Sequence, residues 1–415
     1  MNNIDIMSPA GNYETLMAAI KAGATSVYFG VGELNMRARN SGFKISDLPK
    51  ITKICSENNV RSYLCLNTII YDEDLKKVKI LCNIAKKNKV SAIIATDVSV
   101  MEYCRRIGVK VHISTQVNVS NIESVKFYSR YADVIVLARE LNLKQIRKIC
   151  NEIKKQKICG PSGNLVRVEL FVHGALCVSI SGKCYMSLAT YNESANRGMC
   201  LQNCRRSYKV IDEETGDELV VNNKFIMSPK DLCTIGILDK ILSAGVSVLK
   251  IEGRARPQEY VYNVTKIYHE AVDAYFSKTY NLDKVIEWVK QLESVFNRGF
   301  WQGGYYLGEK FGEWAGVYGS KASEKKIFVG IAKHYFPKAK VGEFLIQSHP
   351  INTGDKIIIT GNKTGIIQTK VESIYLSSTN KSIKVAHQGN MVTIPIPEKV
   401  HNNDKLYVVK AKKSI

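Results

Sequence analysis

The sequence lacks both short signatures that most often mark a peptidase. It has no His-Glu-x-x-His, which would set two zinc-ligating histidines and a glutamate base on one helix face. It has no Gly-x-Ser-x-Gly, which would present a serine on a sharp strand-to-helix turn. Histidine is scarce, with seven in 415 residues and four of those beyond residue 330, so a cysteine–histidine nucleophile pair has few candidates. No Gly-x-Gly-x-x-Gly follows the first strand-like segment, which counts against a dinucleotide-binding domain. No apolar run reaches the ~18 residues of a membrane span. The opening Met1-Asn2-Asn3-Ile4-Asp5 has no basic segment followed by an apolar stretch. No secretory leader is therefore expected, and the chain reads as cytoplasmic with no membrane partner. Acidic residues are outnumbered, 38 Asp and Glu against 59 Lys and Arg, and the resulting +21 favours polyanionic partners such as nucleic acid.

What is present first is an alternation. Segments 4–7, 26–29, 60–66, 92–95, 109–113, 134–137, 166–172 and 246–251 read as short β-branched strands. Segments 13–22, 45–58, 72–87, 98–107, a stretch ending at 155, and 230–243 read as amphipathic helices. Eight strand–helix units predict a closed (β/α)8 TIM-like barrel rather than an open doubly wound sheet. Residues 1–256 would form this barrel, with a cysteine-rich insertion at 173–233. Residues 257–325 would add two helices, broken near 277–281, and then a Gly- and aromatic-rich linker from 298. From 326 onward, short β-type runs between turn signals predict a small antiparallel β-barrel. Residues 321–415 hold 16 Lys/Arg against 6 Asp/Glu, so this last domain reads as a basic nucleic-acid-binding module or as a solvated packing domain.

The eleven cysteines divide in two. Cys55, Cys65, Cys82, Cys104, Cys150 and Cys159 are scattered, mostly in apolar periodic segments, and read as small core residues. Cys177, Cys184, Cys200, Cys204 and Cys233 fall within 57 residues. In a reducing compartment such clustering points to metal or catalysis rather than disulfides. Only Cys200 and Cys204 have a zinc-like spacing. One tight pair with wide gaps suits a 4Fe-4S cluster better, because its corners can be reached from separate loops. Zinc, a catalytic cysteine and unligated thiols stay open as alternatives. Gly174, Gly182 and Gly198 would let backbone N–H groups approach the sulfurs, and Arg197, Arg205 and Arg206 could offset the cluster's negative charge.

The cysteines sit in a longer pattern, Glu169-x-Phe171-x-x-Gly174-Ala175-Leu176-Cys177-x4-Gly182-x-Cys184-x-Met186-Ser187. With it come Met7-Ser8-Pro9-Ala10-Gly11-Asn12, Val27-Tyr28-Phe29-Gly30, Arg37-Ala38-Arg39, Ser114-Thr115-Gln116-Val117-Asn118 and Lys250-Ile251-Glu252-Gly253-Arg254. Together these resemble the collagenase-like peptidase family over essentially the whole chain. The family's name records a proposed collagenase activity. Other members are implied to be hydroxylases carrying a 4Fe-4S cluster: one group makes 5-hydroxyuridine at the tRNA wobble position with prephenate, one hydroxylates a 23S rRNA cytidine, and one hydroxylates the ubiquinone ring. The tRNA group is the closest in type. Carried onto this chain, the resemblance implies Cys177, Cys184, Cys200 and Cys233 as cluster ligands, with Cys204 as the alternate.

The resulting expectation is an RNA-modifying enzyme that binds tRNA or rRNA and a small dicarboxylate, prephenate, with a paralogous subunit as a further partner. A base would be held out of its stack at the barrel mouth. Arg37, Arg39 and Arg254 are candidates for the carboxylates, because a planar guanidinium pairs with a carboxylate in two parallel bonds. Glu252 would act as a base or orient Arg254, and His173 would transfer a proton. Asn67, Gln116, Asn118 and Tyr185 complete the substrate-binding set, with Tyr28 or Tyr185 stacking on a base. The same residues have plain structural readings: loop surface for Arg37 and Arg39, a barrel-closing salt bridge for Glu252 and Arg254, a core histidine for His173, and helix caps for Gln116 and Asn118. Two other classes stand beside this one: a collagen-directed peptidase, and a non-enzymatic RNA-binding or cluster-carrying factor.

Overall fold

The computed structural model describes residues 4–40, 42–180, 183–209, 211–216, 227–308, 313–317 and 319–412. Strands β1 (Asp5–Pro9), β2 (Ser26–Phe29), β3 (Arg61–Leu66), β4 (Ala92–Ala95), β5 (Val111–Ile113), β6 (Ala132–Val136), β7 (Arg167–Gly174) and β9 (Val248–Ile251) pair in parallel. β9 pairs with both β7 and β1, so the eight strands close into a barrel. Helices α1 (Tyr13–Lys21), α2 (Leu48–Glu57), α3 (Leu75–Lys87), α4 (Val98–Ile107), α5 (Ile122–Ser129), α6 (Leu143–Lys155), α7 (Met186–Tyr191), α8 (Leu238–Ser243), α9 (Gln258–Phe276) and α10 (Leu282–Ser294) follow in chain order. Local chemistry fixes several of their ends. The Asn12 side chain accepts from the Thr15 N–H at 2.9 Å while Thr15 reaches back to the Asn12 N–H, and Asn142 and Gln145 cap α6 in the same reciprocal way. α4 stops at Gly108 in the left-handed region.

Side chains alternate across each strand. Leu64, Ile93, Ile135 and Leu249 face the surrounding helices, whereas Tyr28, Tyr63, Cys65, Ile94 and Val134 fill the lumen. The lumen also buries charge. Lys250 Nζ lies 2.6 Å from Glu169 Oε1, both essentially inaccessible, and His112 Nδ1 lies 4.0 Å from Glu169 Oε2. Burial, reinforced by Lys250 and the nearby arginines, holds His112 well below the usual imidazole range, so it stays neutral.

Four segments differ from the sequence expectation. The stretch expected to be helical from 230 begins instead as strand β8 (Asp231–Cys233), antiparallel to β7 and parallel to β10 (Phe300–Gln302). The expected linker from 298 is therefore partly ordered sheet. Trp301 is 2% exposed, and Tyr306 Oη donates to the Phe171 carbonyl at 2.6 Å. Pairing between segments far apart in sequence outweighs local propensity there. The helix α5 and the strand Val341–Ile346 were not anticipated.

Residues 324–411 form an eight-stranded antiparallel sheet around its own core of Val329, Phe344, Ile359, Ile394 and Leu406. It meets the barrel through Ile358 and Ile366, which pack on Ala18 of α1 and Tyr262 of α9. Replacing Trp301 with alanine should cost about 3–5 kcal/mol through a large buried cavity. A urea midpoint matching the wild type would show that the β8–β10 annex does not brace the barrel.

Candidate functional site

At the carboxyl ends of the strands, the segment after β7 folds across the lumen and encloses a chamber of about 170 Å³. Tyr28, Cys65, Phe171 and Lys250 line it from the lumen, Arg37, Asn67, Gln116, Arg139, Glu252 and Arg254 from the strand-end loops, and Cys177, Cys184, Cys200, Cys204 and Arg205 from the covering segment. Arg256 and Arg298 complete one wall.

Close approaches hold the loops together. Gly11 packs so tightly on the Arg254 carbonyl that a Cβ would collide with it, which ties the turn after β1 to the loop after β9. Gly198, with φ +86°, lets the cysteine-rich segment lie directly on the Asn35 carbonyl. Arg197 belongs to the same anchoring. It pairs with Asp74, donates to the Ile69 carbonyl at 2.9 Å and stacks over Tyr71, so it is not beside the thiols. Arg206 donates to Tyr191 Oη. Arg205 is the arginine of that trio that lines the chamber, held by the Pro229 carbonyl at 2.8 Å. Gly182 lies outside the described residues.

Glu252 organises the wall. Its Oε1 accepts from Arg37 Nη2 at 2.6 Å, and Tyr28 Oη sits 3.4 Å from its Oε2. Burial alone would raise the carboxyl, but Arg37, Arg139 and Arg254 outweigh it and bring Glu252 down to about 2. It is a fixed anion rather than a base at neutral pH. Arg254 is oriented by Asn35, whose Oδ1 accepts from Arg254 Nη1 at 2.9 Å and from the Arg37 N–H at 3.1 Å. Arg139 lies 4.2 Å over the Phe171 ring with its Nε buried and without a hydrogen-bond partner among the described residues. Thr115 Oγ1, also on the chamber wall, is in the same condition. Both residues line the chamber, and each leaves one buried donor unpaired among the described residues.

The placement of the expected residues follows. Arg37, Asn67, Gln116, Glu252 and Arg254 meet in the chamber. Asn67 Nδ2 donates to Ser114 Oγ at 3.2 Å and to Gln116 Oε1 at 3.4 Å, which makes these two a linked amide pair. Asn118 instead ends a short 3-10 turn with φ +58°. Arg39 lines a shallow groove outside, and Tyr185 is 72% exposed. His173 does not line the chamber. A bulge between Phe171 and His173 breaks the alternation of β7, and the ring packs instead among Tyr260, Tyr268 and Phe300. Burial and the nearby Arg256 lower it to about 3, so it is a neutral imidazole at neutral pH. Arg139 is legible in the sequence as a charged group at a strand end, whereas Asn35 and Arg256 are not, although the Arg-x-Arg of 254–256 is a visible signal.

All eleven cysteines are free thiols. Cys177, Cys184, Cys200 and Cys204 share the chamber. Burial pushes Cys204 up to about 11 against the pull of Arg205, and its neighbours Cys177, Cys200 and Cys184 raise it further. Cys233 stands apart, fully buried on β8 beside Tyr268. Among the described residues, no three His, Cys, Asp or Glu side chains converge as a single-ion site. Soft thiols spaced around a cavity and flanked by arginines fit a multinuclear thiolate-held group better than one zinc ion.

The fold and site define a (β/α)8-barrel protein with a thiol- and arginine-lined chamber at the catalytic end of the barrel. Residues 11–316 match Peptidase family U32, and the chain belongs to that family. It is 53% identical over 408 residues, 98% of each chain, to a protein of Porphyromonas gingivalis named collagenase. It is 28% identical over 414 residues, 97% of this chain and 94% of the other, to a tRNA hydroxylation protein of Bacillus subtilis. It is 32% identical over 305 residues, 72% of this chain and 44% of the other, to a 23S rRNA 5-hydroxycytidine synthase of Escherichia coli. Among the described residues no helix is long and apolar enough to cross a membrane.

Glu252 also sets an acid limit. Its carboxyl lies below the ordinary 4.5, so its contribution to stability is complete above that pH and disappears as pH falls through about 2. That contribution is on the order of 3 kcal/mol. Glu252→Gln should lose it at pH 7 and show a flatter decline in stability between pH 5 and 2. Parallel acid-titration curves for the two proteins would contradict the charge assignment.

Proposed function

We propose that the protein is an iron–sulfur RNA hydroxylase that inserts oxygen at C5 of a pyrimidine, with the wobble uridine of tRNA as substrate and prephenate as co-substrate. One observation carries this reading. Four thiols and a strongly cationic wall share one small chamber, and among the described residues no histidine lines it. Cys177, Cys184, Cys200 and Cys204 would hold the 4Fe-4S cluster, and Arg205 would offset its charge. The cluster would supply one-electron redox chemistry. Arg37 and Arg254, fixed by Glu252 and Asn35, would bind the carboxylates of the dicarboxylate, and Arg139 offers a third donor. Phe171 and Tyr28, which line the same chamber, would flank a base removed from its stack, and the Asn67–Gln116 amides would read its polar edge. A paralogous subunit is a further proposed partner.

The collagenase name of the 53% identical relative favours a second reading, peptide hydrolysis. The chamber offers little to support it. Glu252, the carboxylate on its wall, is locked in ion pairs, and His173 and His112 lie outside it. A thiol nucleophile there has no histidine base to activate it.

Two measurements decide. Anaerobically purified protein should show the broad visible absorption of an iron–sulfur centre. Serine at Cys177, Cys184, Cys200 or Cys204 should abolish it, while Cys233→Ser should retain it; loss in Cys233→Ser alone would move the ligand set. Nucleoside mass spectrometry of a deletion strain should show loss of 5-hydroxyuridine-derived nucleosides from tRNA. Loss of 5-hydroxycytidine from rRNA would transfer the activity to that substrate, and unchanged tRNA and rRNA would refute the reading.

A further inference from the structure

A second large cleft, about 690 Å³, lies between α9, α10 and the C-terminal sheet. Seven lysines and three glutamates line it, an excess of four positive charges. Three of the lysines are paired, Lys326 with Glu259 at 2.9 Å, Lys356 with Glu324 at 3.3 Å and Lys266 with Glu270 at 3.7 Å. Lys290, Lys325 and Lys370 are exposed and make no ion pair among the described residues. The cleft abuts the chamber wall. Phe296 lines the cleft, and its ring carries the guanidinium of Arg256 at 3.6 Å and of Arg298 at 5.2 Å. Both arginines line the chamber. Pro257, at the start of α9, follows the chamber residues 254–256 directly and also lines the cleft.

We propose that this cleft is the track for the sugar–phosphate backbone of the RNA whose reacting base occupies the chamber. The inference rests on the RNA reading above and adds the surface that would bind the polymer. A chamber of this size takes one base, so the rest of the affinity must come from contacts outside it. Phosphates running from the mouth would pass Arg256 and Arg298 and then meet the unpaired lysines. Flexible lysines suit this role, because they satisfy phosphates without reading sequence. A concave cleft admits a strand, whereas a flat anionic bilayer could not reach into it.

The test uses the full-length, cluster-loaded protein and unmodified tRNA, with binding followed by fluorescence anisotropy at increasing KCl. Lys290→Glu/Lys325→Glu/Lys370→Glu should bind at least about tenfold more weakly and lower the salt slope by about 3, one per lost phosphate contact. Its visible spectrum and melting temperature should match the wild type. A control with the same charge change at the opposite end of the barrel, Lys87→Glu/Lys89→Glu/Lys157→Glu, should keep most of the affinity. Equal losses in both variants, or none in the cleft variant, would overturn the cleft while leaving the RNA reading intact. A wild-type protein that binds no tRNA would refute the RNA reading itself. Preference for phosphatidylglycerol vesicles over tRNA would assign the lysines to a membrane and overturn the proposal.

Discussion

Strand β9 is held on both edges, and much of the molecule depends on that. Its register sets Val248 opposite both Asp5 of β1 and Glu169 of β7, so one short strand converts an open sheet into a barrel. The same strand carries Lys250 into the lumen and delivers Glu252 and Arg254 to the rim. The pairing that closes the fold therefore also sets the charges of the site. Because side chains alternate with a period of two, a one-residue slip of β9 would turn Lys250 away from Glu169 and leave a buried carboxylate unpaired.

The chamber concentrates more positive than negative charge in a confined space. Such an arrangement is costly unless it is compensated. Part of the compensation is internal: Arg37 on Glu252, Lys250 on Glu169, and Arg298 on Asp231 at 3.4 Å. Part is aromatic, with Arg139 over Phe171 and Arg256 over Phe296. Among the described residues, the buried Nε of Arg139 and the Thr115 hydroxyl have no hydrogen-bond partner. Groups of that kind are tolerated where a ligand completes them. The barrel supplies rigidity at this point, because the loops that carry these residues start from paired strands and are pinned by the close contacts of Gly11 and Gly198.

Strands β1 to β7 and β9 are legible because each is a short, mostly apolar run alternating with amphipathic helical stretches. The meeting of Arg37, Glu252 and Arg254 was legible only in part. Their positions at strand ends pointed to the mouth, but the Asn35 clamp that joins two of them depends on a loop path with no periodic signal. His173 misled for a specific reason. It follows Glu169 and Phe171 at even spacing, and regular alternation would aim it inward, but the bulge after Phe171 turns it into an aromatic nest. The β8 segment reads as helix in the sequence because its three residues precede a genuine helical stretch, and its strand character comes from pairing with β7 and β10.

Residue order alone determined the barrel class, the basic character of the chain and the set of five clustered cysteines, because periodicity, charge and composition are local properties. Only the tertiary structure decided which four of those thiols share a cavity and which arginines stand beside them. Sequence spacing constrains how far apart two thiols can lie, not the face on which each one ends. Cys204 reaches the chamber and Cys233 does not because β8 is sheathed between β7 and β10, a pairing made with residues more than fifty positions away on either side.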